Sequence, residues 1–121
     1  MPYPVRVPVS RKFITVDIAD ISTAGQTYIA PGFDGKIINA YSAIGGAIGT
    51  ADADLTLKIG GVAVTGGVIT VATASSAAGD VDSCTPTALA SFTAGQAIEI
   101  ETDGASSNTV EVVVTLDLEP S

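Results

Sequence analysis

The chain has 121 residues and carries thirteen acidic but five basic side chains, a formal net charge of −8. That length fits one domain, the single cysteine excludes an internal disulfide, and no apolar run is long enough to span a bilayer. No membrane is therefore expected as a partner, and no nucleic acid either, because an acidic chain repels phosphate backbones.

The first twelve residues differ in composition from the rest of the chain. Pro2, Pro4 and Pro8 lack a backbone donor and favour an extended conformation, so residues 1–12 are predicted to form an arm outside the sheets. The segment carries three cations and no acid, and it lacks the features of a secretory signal. The residues predicted to contact a partner are Tyr3, Val5, Arg6, Val7, Arg11 and Lys12.

Residues 13–121 are predicted to form a single domain of β-strands, because apolar and polar residues alternate with a period of two and no helical stripe extends over ten residues. The predicted strands are 13–18, 26–30, 36–44, 54–59, 62–64, 68–73, 96–101 and 109–119. The alternation is regular at 13–18, 54–59, 96–101 and 109–119, as in half-buried antiparallel strands. Eight short strands with glycine-rich turns predict an all-β antiparallel sandwich of jelly-roll topology, preceded by the extended arm.

The segment 36–44 is less regular than the other predicted strands. Ile37, Asn39 and Tyr41 are predicted to share one face, and the residues between them are also largely apolar. Because both faces are partly apolar, one of them is expected to pack against another copy of the chain. Ile37, Asn39 and Tyr41 are therefore the candidate residues of an oligomer interface, and a homotrimer is the expected assembly.

Two diglycines and one irregular stretch follow. Gly60-Gly61 and Gly66-Gly67 bracket a short run, which predicts two consecutive tight hairpins. Residues 74–92 show no regular alternation and are interpreted as a long connection containing one short strand or helical turn.

Catalytic chemistry is poorly supplied. The chain has no histidine, and Cys84 has no cation within ten residues to stabilise a thiolate, so no enzyme, cofactor or metal is predicted. The pair Glu99/Glu101 is interpreted as a solvated strand face, since a glycosidase also needs aromatic residues that stack on sugars. Calcium between Asp52/Asp54 or Asp80/Asp82 is left open, although neither pair matches an EF-hand loop.

Two stretches resemble the head decoration (cement) proteins of tailed bacteriophages. One is residues 50–71, Thr-Ala-Asp-Ala-Asp-Leu-Thr-Leu-Lys-Ile-Gly-Gly-Val-Ala-Val-Thr-Gly-Gly-Val-Ile-Thr-Val. The other is residues 93–104, Thr-Ala-Gly-Gln-Ala-Ile-Glu-Ile-Glu-Thr-Asp-Gly, followed by residues 108–116, Asn-Thr-Val-Glu-Val-Val-Val-Thr-Leu. The resemblance lies in the β-rich character of the sequence and its abundance of Gly, Thr and Val, and it extends over residues 13–119.

The resemblance implies a trimeric β-sandwich on the outside of a capsid, at sites where subunits of the major capsid protein meet. The expected location is then the virion exterior, after synthesis in the host cytoplasm. The composition of residues 1–12, apart from the resemblance, fits a strap that contacts the capsid. The alternative is a receptor- or glycan-binding module of a phage head or tail fibre, although aromatic residues are few. A bacterial surface or pilin-like module is a further alternative, against which the missing export signal counts.

Overall fold

The computed structural model describes residues 10–121, which form nine strands and no helix that could cross a membrane. The strands are β1 (Lys12–Ile18), β2 (Gly25–Ile29), β3 (Gly35–Ile44), β4 (Ala53–Ile59), β5 (Val62–Val71), β6 (Val81–Cys84), β7 (Ser91–Phe92), β8 (Ile98–Thr102) and β9 (Val112–Pro120). They build two antiparallel sheets packed face to face, which confirms the predicted all-β sandwich.

Along the chain, most consecutive strands belong to different sheets. The first sheet has the order β1-β9-β3-β6, with β7 also pairing with β3, and the second has the order β2-β8-β4-β5. The chain therefore changes sheet after β1, β2, β3, β5, β7 and β8. As a result, β9 pairs with both β1 and β3, so the last strand lies inside the first sheet.

The regular alternation predicted from the sequence is confirmed, because one face of each of these strands lines a common core. On β9, the apolar residues from Val112 to Leu118 at every second position are fully buried. Leu55 and Leu57 of β4 and Ile100 of β8 are equally buried, and they belong to the same cluster. Full burial of one such side chain contributes roughly 1.5–3 kcal/mol, so period two is enforced by the core.

A β-bulge overturns the predicted arrangement of 36–44. Ile38 is the extra residue between the pairs that Ile37 and Asn39 make with β9. Since a bulge of one residue reverses the faces that follow it, Ile37 lies in the core, 2% exposed, while Tyr41 is exposed on the outer side. The prediction that Ile37 shares a face with Asn39 and Tyr41 is therefore wrong.

The two diglycines have different roles. Gly60 and Gly61, both with positive φ, form the tight turn between β4 and β5, as predicted. Gly66-Gly67 forms no second hairpin, and that prediction is wrong. Instead β5 continues from Val62 to Val71, while its residues 64–67 leave the register with β4.

Residues 64–67 of β5, which we call its excursion, approach the 74–92 segment instead of β4. Thr65 N–H donates to the carbonyl of Ala88 at 3.0 Å, and Thr87 N–H donates to the carbonyl of Thr65 at 2.9 Å. A Cβ at Gly66 would lie 3.1 Å from the backbone oxygen of Thr85, so glycine permits this approach. The short strand expected within 74–92 is present as β6, and β7 follows at its end.

The strand register defines two ends of the sandwich. At the lower end β1 and β3 begin and β9 ends, since Lys12 pairs with Leu118 and Gly35 with Pro120. At the upper end β1 ends and β9 begins, where Ile18 pairs with Val112. In the second sheet, β2 ends and β8 begins at the lower end, because the connection to β3 leaves from there.

Candidate interaction surfaces

The predicted arm falls in two parts. Tyr3, Val5, Arg6 and Val7 lie outside the described residues. Lys12 is the first residue of β1 and is exposed, so the strand begins one residue before the predicted domain boundary. Of the described arm residues 10–12, Lys12 therefore belongs to the first sheet and the two residues before it do not.

Arg11 binds back onto its own domain. Its Nη1 donates to Asp117 Oδ2 at 2.8 Å, and its Nε lies 3.5 Å from Glu119 Oε2. Asn39 Nδ2 donates to the same oxygen of Asp117 at 3.3 Å. Asp117 faces outward on β9 but is 6% exposed, with Phe13 and Asn39 directly beside it. A carboxylate buried to this degree requires a paired cation, so Arg11 stabilises the fold.

The sequence pattern did not single out Asp117. In the alternation of β9 it occupies a polar position, which predicts a solvated side chain. Its burial follows from the pairing of β9 with both β1 and β3, and Oδ1 has no hydrogen-bond partner among the described residues. The signal that identifies it is the contact between the first and last strands, which periodicity does not encode.

The outer face of the first sheet retains part of the predicted oligomer interface. Tyr41 is exposed there, between Thr115 of β9 and Ser83 of β6. Asn39 is half-buried and accepts a hydrogen bond from Thr85 Oγ1 at 2.9 Å. Ile37 contributes to the core instead. Of the three predicted interface residues, two lie at the surface.

Charge is distributed unevenly between the two ends. All four described cations lie in the lower half, at or next to the start of β1, at the start of β3 or at the end of β4: Arg11, Lys12, Lys36 and Lys58. The upper end carries eight of the carboxylates: Asp17, Asp20, Asp52, Asp54, Asp80, Asp82, Asp103 and Glu111. The lower half carries the other five carboxylates, Asp34, Glu99, Glu101, Asp117 and Glu119, so its charges nearly cancel. The excess negative charge of the described domain therefore lies at its upper end.

The carboxylate pairs considered for calcium lie at this upper end. Asp52 and Asp80 each accept a backbone N–H at 2.9 Å, and Asp54 accepts a threonine hydroxyl. Partial burial and the nearby charges of Asp80 and Asp52 raise the pKa of Asp82. Within residues 10–121, no three acidic or cysteine side chains converge as metal ligands, so no metal centre is assigned to this cluster.

One flank of the sandwich is free of charge. The flank consists of residues 59–79 and 83–98, which include β5, the end of β6 and β7 and contain no charged side chain. Asp80 and Asp82 lie between these two runs, at the acidic upper end. Three exposed large apolar residues belong to it: Val62, Val68 and Leu89. Val81 is also exposed, but it lies between Asp80 and Asp82. We call this surface the charge-free flank.

The side chains considered for catalysis, Cys84 and Glu101, have environments that account for them without a catalytic role. Burial raises the pKa of the Cys84 thiol to about 11, so the thiol stays protonated and packs in the core. Lys58 Nζ lies 3.1 Å from Glu101, and this hydrogen bond, together with one from Gln26, lowers the pKa of Glu101. Glu101 is thus an ionised residue of a solvated strand face.

The exposed aromatic residues do not form one surface. Phe13 and Tyr41 lie on the outer face of the first sheet, separated by β9, and Tyr28 lies on the second sheet. A sugar-binding site needs aromatic faces that converge on one ligand. This arrangement therefore gives no geometric support to glycan stacking between these three side chains.

Comparisons with known proteins give no assignment: no protein-family model matches the chain, and no curated protein matches it.

Proposed function

We propose that this chain is a structural virion protein that binds the outside of a phage capsid and stabilises contacts between major capsid subunits. The observation that carries the proposal is the uneven distribution of charge between the two ends of the domain. The described cations lie toward the lower end, where the chain enters from residues 1–9, and the upper end carries carboxylates alone. The four cations of the lower half are nearly balanced by five carboxylates there, so the lower end meets an acidic protein surface with the least repulsion while the acidic end points away.

The lower end offers the contacts that a seating surface needs. Lys12 is exposed and makes no ion pair within the described residues, and Lys36 makes a long one, 3.9 Å to Glu119. A surface cavity of about 370 Å³ opens beside Lys36 and Phe92 and suits an inserted side chain. Exposed charge contacts contribute about 1 kcal/mol or less each, so apolar burial and strand pairing supply the larger share.

The proposed architecture is a homotrimer of jelly-roll domains. The strand orders β1-β9-β3-β6 and β2-β8-β4-β5 support the jelly roll, because interlocked Greek keys require repeated crossings between two sheets. The exposed apolar residues support self-association, since surfaces of this kind mark protein contacts.

The position of Arg11 changes how the capsid-contacting strap is tested. Removing residues 1–12 would also remove the partner of Asp117 and the first residue of β1. The suitable deletion therefore ends at residue 9, and the suitable charge variants are Arg6→Ala and Lys12→Ala.

The test is co-sedimentation of each variant with undecorated phage heads. We expect the intact chain to bind, and the deletion of residues 1–9 to remain folded but bind much more weakly. The double variant Arg6→Ala/Lys12→Ala should bind heads more tightly than the deletion but less tightly than the intact chain. Its loss of affinity should be largest at low salt, because exposed charges are screened beyond about 10 Å at 0.1 M.

Lys58→Ala is the matched control, since Lys58 is a cation on the second sheet that is already paired with Glu101. Its binding should equal that of the intact chain. Undiminished binding by the deletion would contradict the strap. No binding by the intact chain would contradict the decoration function, and binding to glycans instead would favour the fibre module.

A further inference from the structure

We infer that copies of this chain meet through the charge-free flank, with Val62 and Leu89 at the centre of the contact. The inference rests on the proposed homotrimer and assigns its interface to a surface that the alternation of the sequence did not indicate. Three steps support it: the distribution of charge, the display of apolar side chains and the geometry of the flank.

The charge of the chain limits where two copies can approach. At a net charge of −8, copies repel each other wherever carboxylates face each other. The uncharged runs 59–79 and 83–98 meet on the charge-free flank, whereas the outer face of the second sheet carries Glu99, Glu101 and Asp54. Depletion of charge is also what distinguishes the centre of an interface from other surface.

The apolar side chains of the flank converge at its lower end. Val62 is 57% exposed and Leu89 is 64% exposed, and both line one surface cavity of about 430 Å³. Ile59, which is buried in the core, also lines this cavity. A side chain from another copy would therefore contact a surface that continues into the core, as contacts of high affinity do.

The exposure of Leu89 is held by the backbone. Its φ is +56°, a left-handed conformation that side chains other than Asn and Asp rarely adopt. On one side Ala88 accepts a hydrogen bond from Thr65, and on the other Ala90 accepts one from Ile37 N–H at 3.0 Å. The chain is anchored to both sheets around Leu89, which presents this apolar side chain to the exterior. Backbone strain maintained in this way is characteristic of functional positions.

A second copy of the chain suits this flank in size and shape. A ten-residue strand is roughly 33 Å long and packed sheets lie about 10 Å apart, so with side chains the flank offers on the order of 500 Å². In a ring of three, each copy divides this surface between two neighbours, so the trimer as a whole buries on the order of 1,500 Å². Around a threefold axis, the β5 side of one copy faces the β6–β7 side of the next, which closes a ring.

The excursion of β5 determines the kind of contact. Residues 64–67 turn inward toward the 85–88 segment, which interrupts the free backbone edge of β5. Interrupted edges resist extension of a sheet by another chain. The contact between copies is therefore made by side chains, and substitution of those side chains tests it directly.

The experiment is sedimentation velocity of the intact chain over a range of concentrations, compared with Leu89→Asn, Val62→Thr and the double variant. Asn accepts the left-handed conformation and Thr retains the strand preference of Val, so each variant keeps the fold while losing apolar surface. We expect trimers of the intact chain at micromolar concentration. Each single variant should raise the concentration needed for assembly about tenfold or more, with an unchanged or higher Tm for Leu89→Asn.

Tyr28→Asn is the matched control, because Tyr28 is also 64% exposed but lies on β2, outside the charge-free flank. It should assemble as the intact chain does. A monomeric intact chain, or a double variant that assembles normally, would overturn the inference. Head co-sedimentation separates the two proposals: trimers that do not bind heads would overturn the decoration function and leave the interface standing.

Discussion

The two flanks of the sandwich close in different ways. On the charge-free flank, β5 leaves its partner strand over 64–67 and forms backbone hydrogen bonds with the 85–88 segment. On the opposite flank, β1 and β2 are the edge strands of the two sheets, and the described residues include no backbone hydrogen bond between them. That open flank is covered by the half-buried side chains Ile14, Val16 and Ile29.

The difference shows how one small sandwich can present two kinds of surface. A backbone bridge between sheets needs close approach, which Gly66 allows, while Gly67 leaves room for Val64 of the same strand. Where no bridge forms, the outer backbone edges of β1 and β2 stay available for an added strand. The charge-free flank offers apolar side chains instead, so the two flanks suit different partners.

The largest expected effect concerns the thiol beneath the charge-free flank. Burial raises the pKa of Cys84 from 9.0 to about 11, which makes the reactive thiolate about 100-fold scarcer near pH 8. Alkylation by iodoacetamide should therefore be at least about 100-fold slower in the native protein than in concentrated urea. Equal rates would mean that this flank opens readily, and the contrast between the flanks would then fail.

The next effect tests the start of the open flank. Arg11→Ala removes the cation from Asp117 and should lower the free energy of unfolding by about 1.5–3 kcal/mol, measured by urea unfolding. Adding Asp117→Asn should recover part of the loss, because an amide is cheaper to bury than an unpaired charge. Lys36→Ala, which removes a longer and exposed ion pair, should cost about 1 kcal/mol or less. Equal costs for Arg11 and Lys36 would contradict an internal role for Arg11.

A pair of glycine variants compares the flanks directly. A Cβ at Gly67 would lie 2.8 Å from the Cβ of Val64, so Gly67→Ala should cost about 1–3 kcal/mol in urea unfolding. A Cβ at Gly25, on β2 of the open flank, would have no neighbour within 4 Å. Gly25→Ala should therefore be neutral or stabilise by up to about 1 kcal/mol. Similar losses in both variants would show that the flanks are equally packed.

The smallest effect depends on pH. The pKa of Asp82 is raised in the folded state by partial burial and nearby carboxylates, so ionisation opposes folding. Asp82→Asn should raise Tm at neutral pH, and the gain should disappear as the pH falls and Asp82 becomes protonated in the parent chain.

Glu101→Gln is the control of opposite sign for that measurement. The pKa of Glu101 is lowered by hydrogen bonds from Lys58 and Gln26, so its contribution is present at neutral pH and lost as the pH falls through the folded-state pKa. The variant should therefore lower Tm at neutral pH. Shifts of the same sign in both variants would refute the assigned causes.

Several elements were predictable from the sequence because their causes are local. The alternation in β4, β8 and β9 gives each strand one apolar face, which can pack against any core. Gly60-Gly61 provides the positive φ angles of a tight turn. Gly66-Gly67 has the same composition as Gly60-Gly61, yet it serves a crossing between sheets. The distinction depends on the 85–88 segment, which lies far along the chain.

The candidate surfaces were predictable only in part. Tyr41 is exposed as expected, but Ile37 turns into the core because the bulge at Ile38 depends on the register with β9. Arg11 binds Asp117 because β1 and β9 pair, which the sequence did not indicate, and its contact with a partner stays a prediction. The strap residues that precede position 10 lie outside the described residues, and their role remains a prediction.

The sequence by itself determined that this chain is an all-β sandwich with an acidic body, because side-chain periodicity and net charge are properties of neighbouring residues and of composition. The tertiary structure alone decided which side chains stay at the surface and which surfaces they form. Two uncharged runs become one flank because β5 and the 85–88 segment cross between the sheets. Such pairing joins residues distant in sequence, and no local pattern records it.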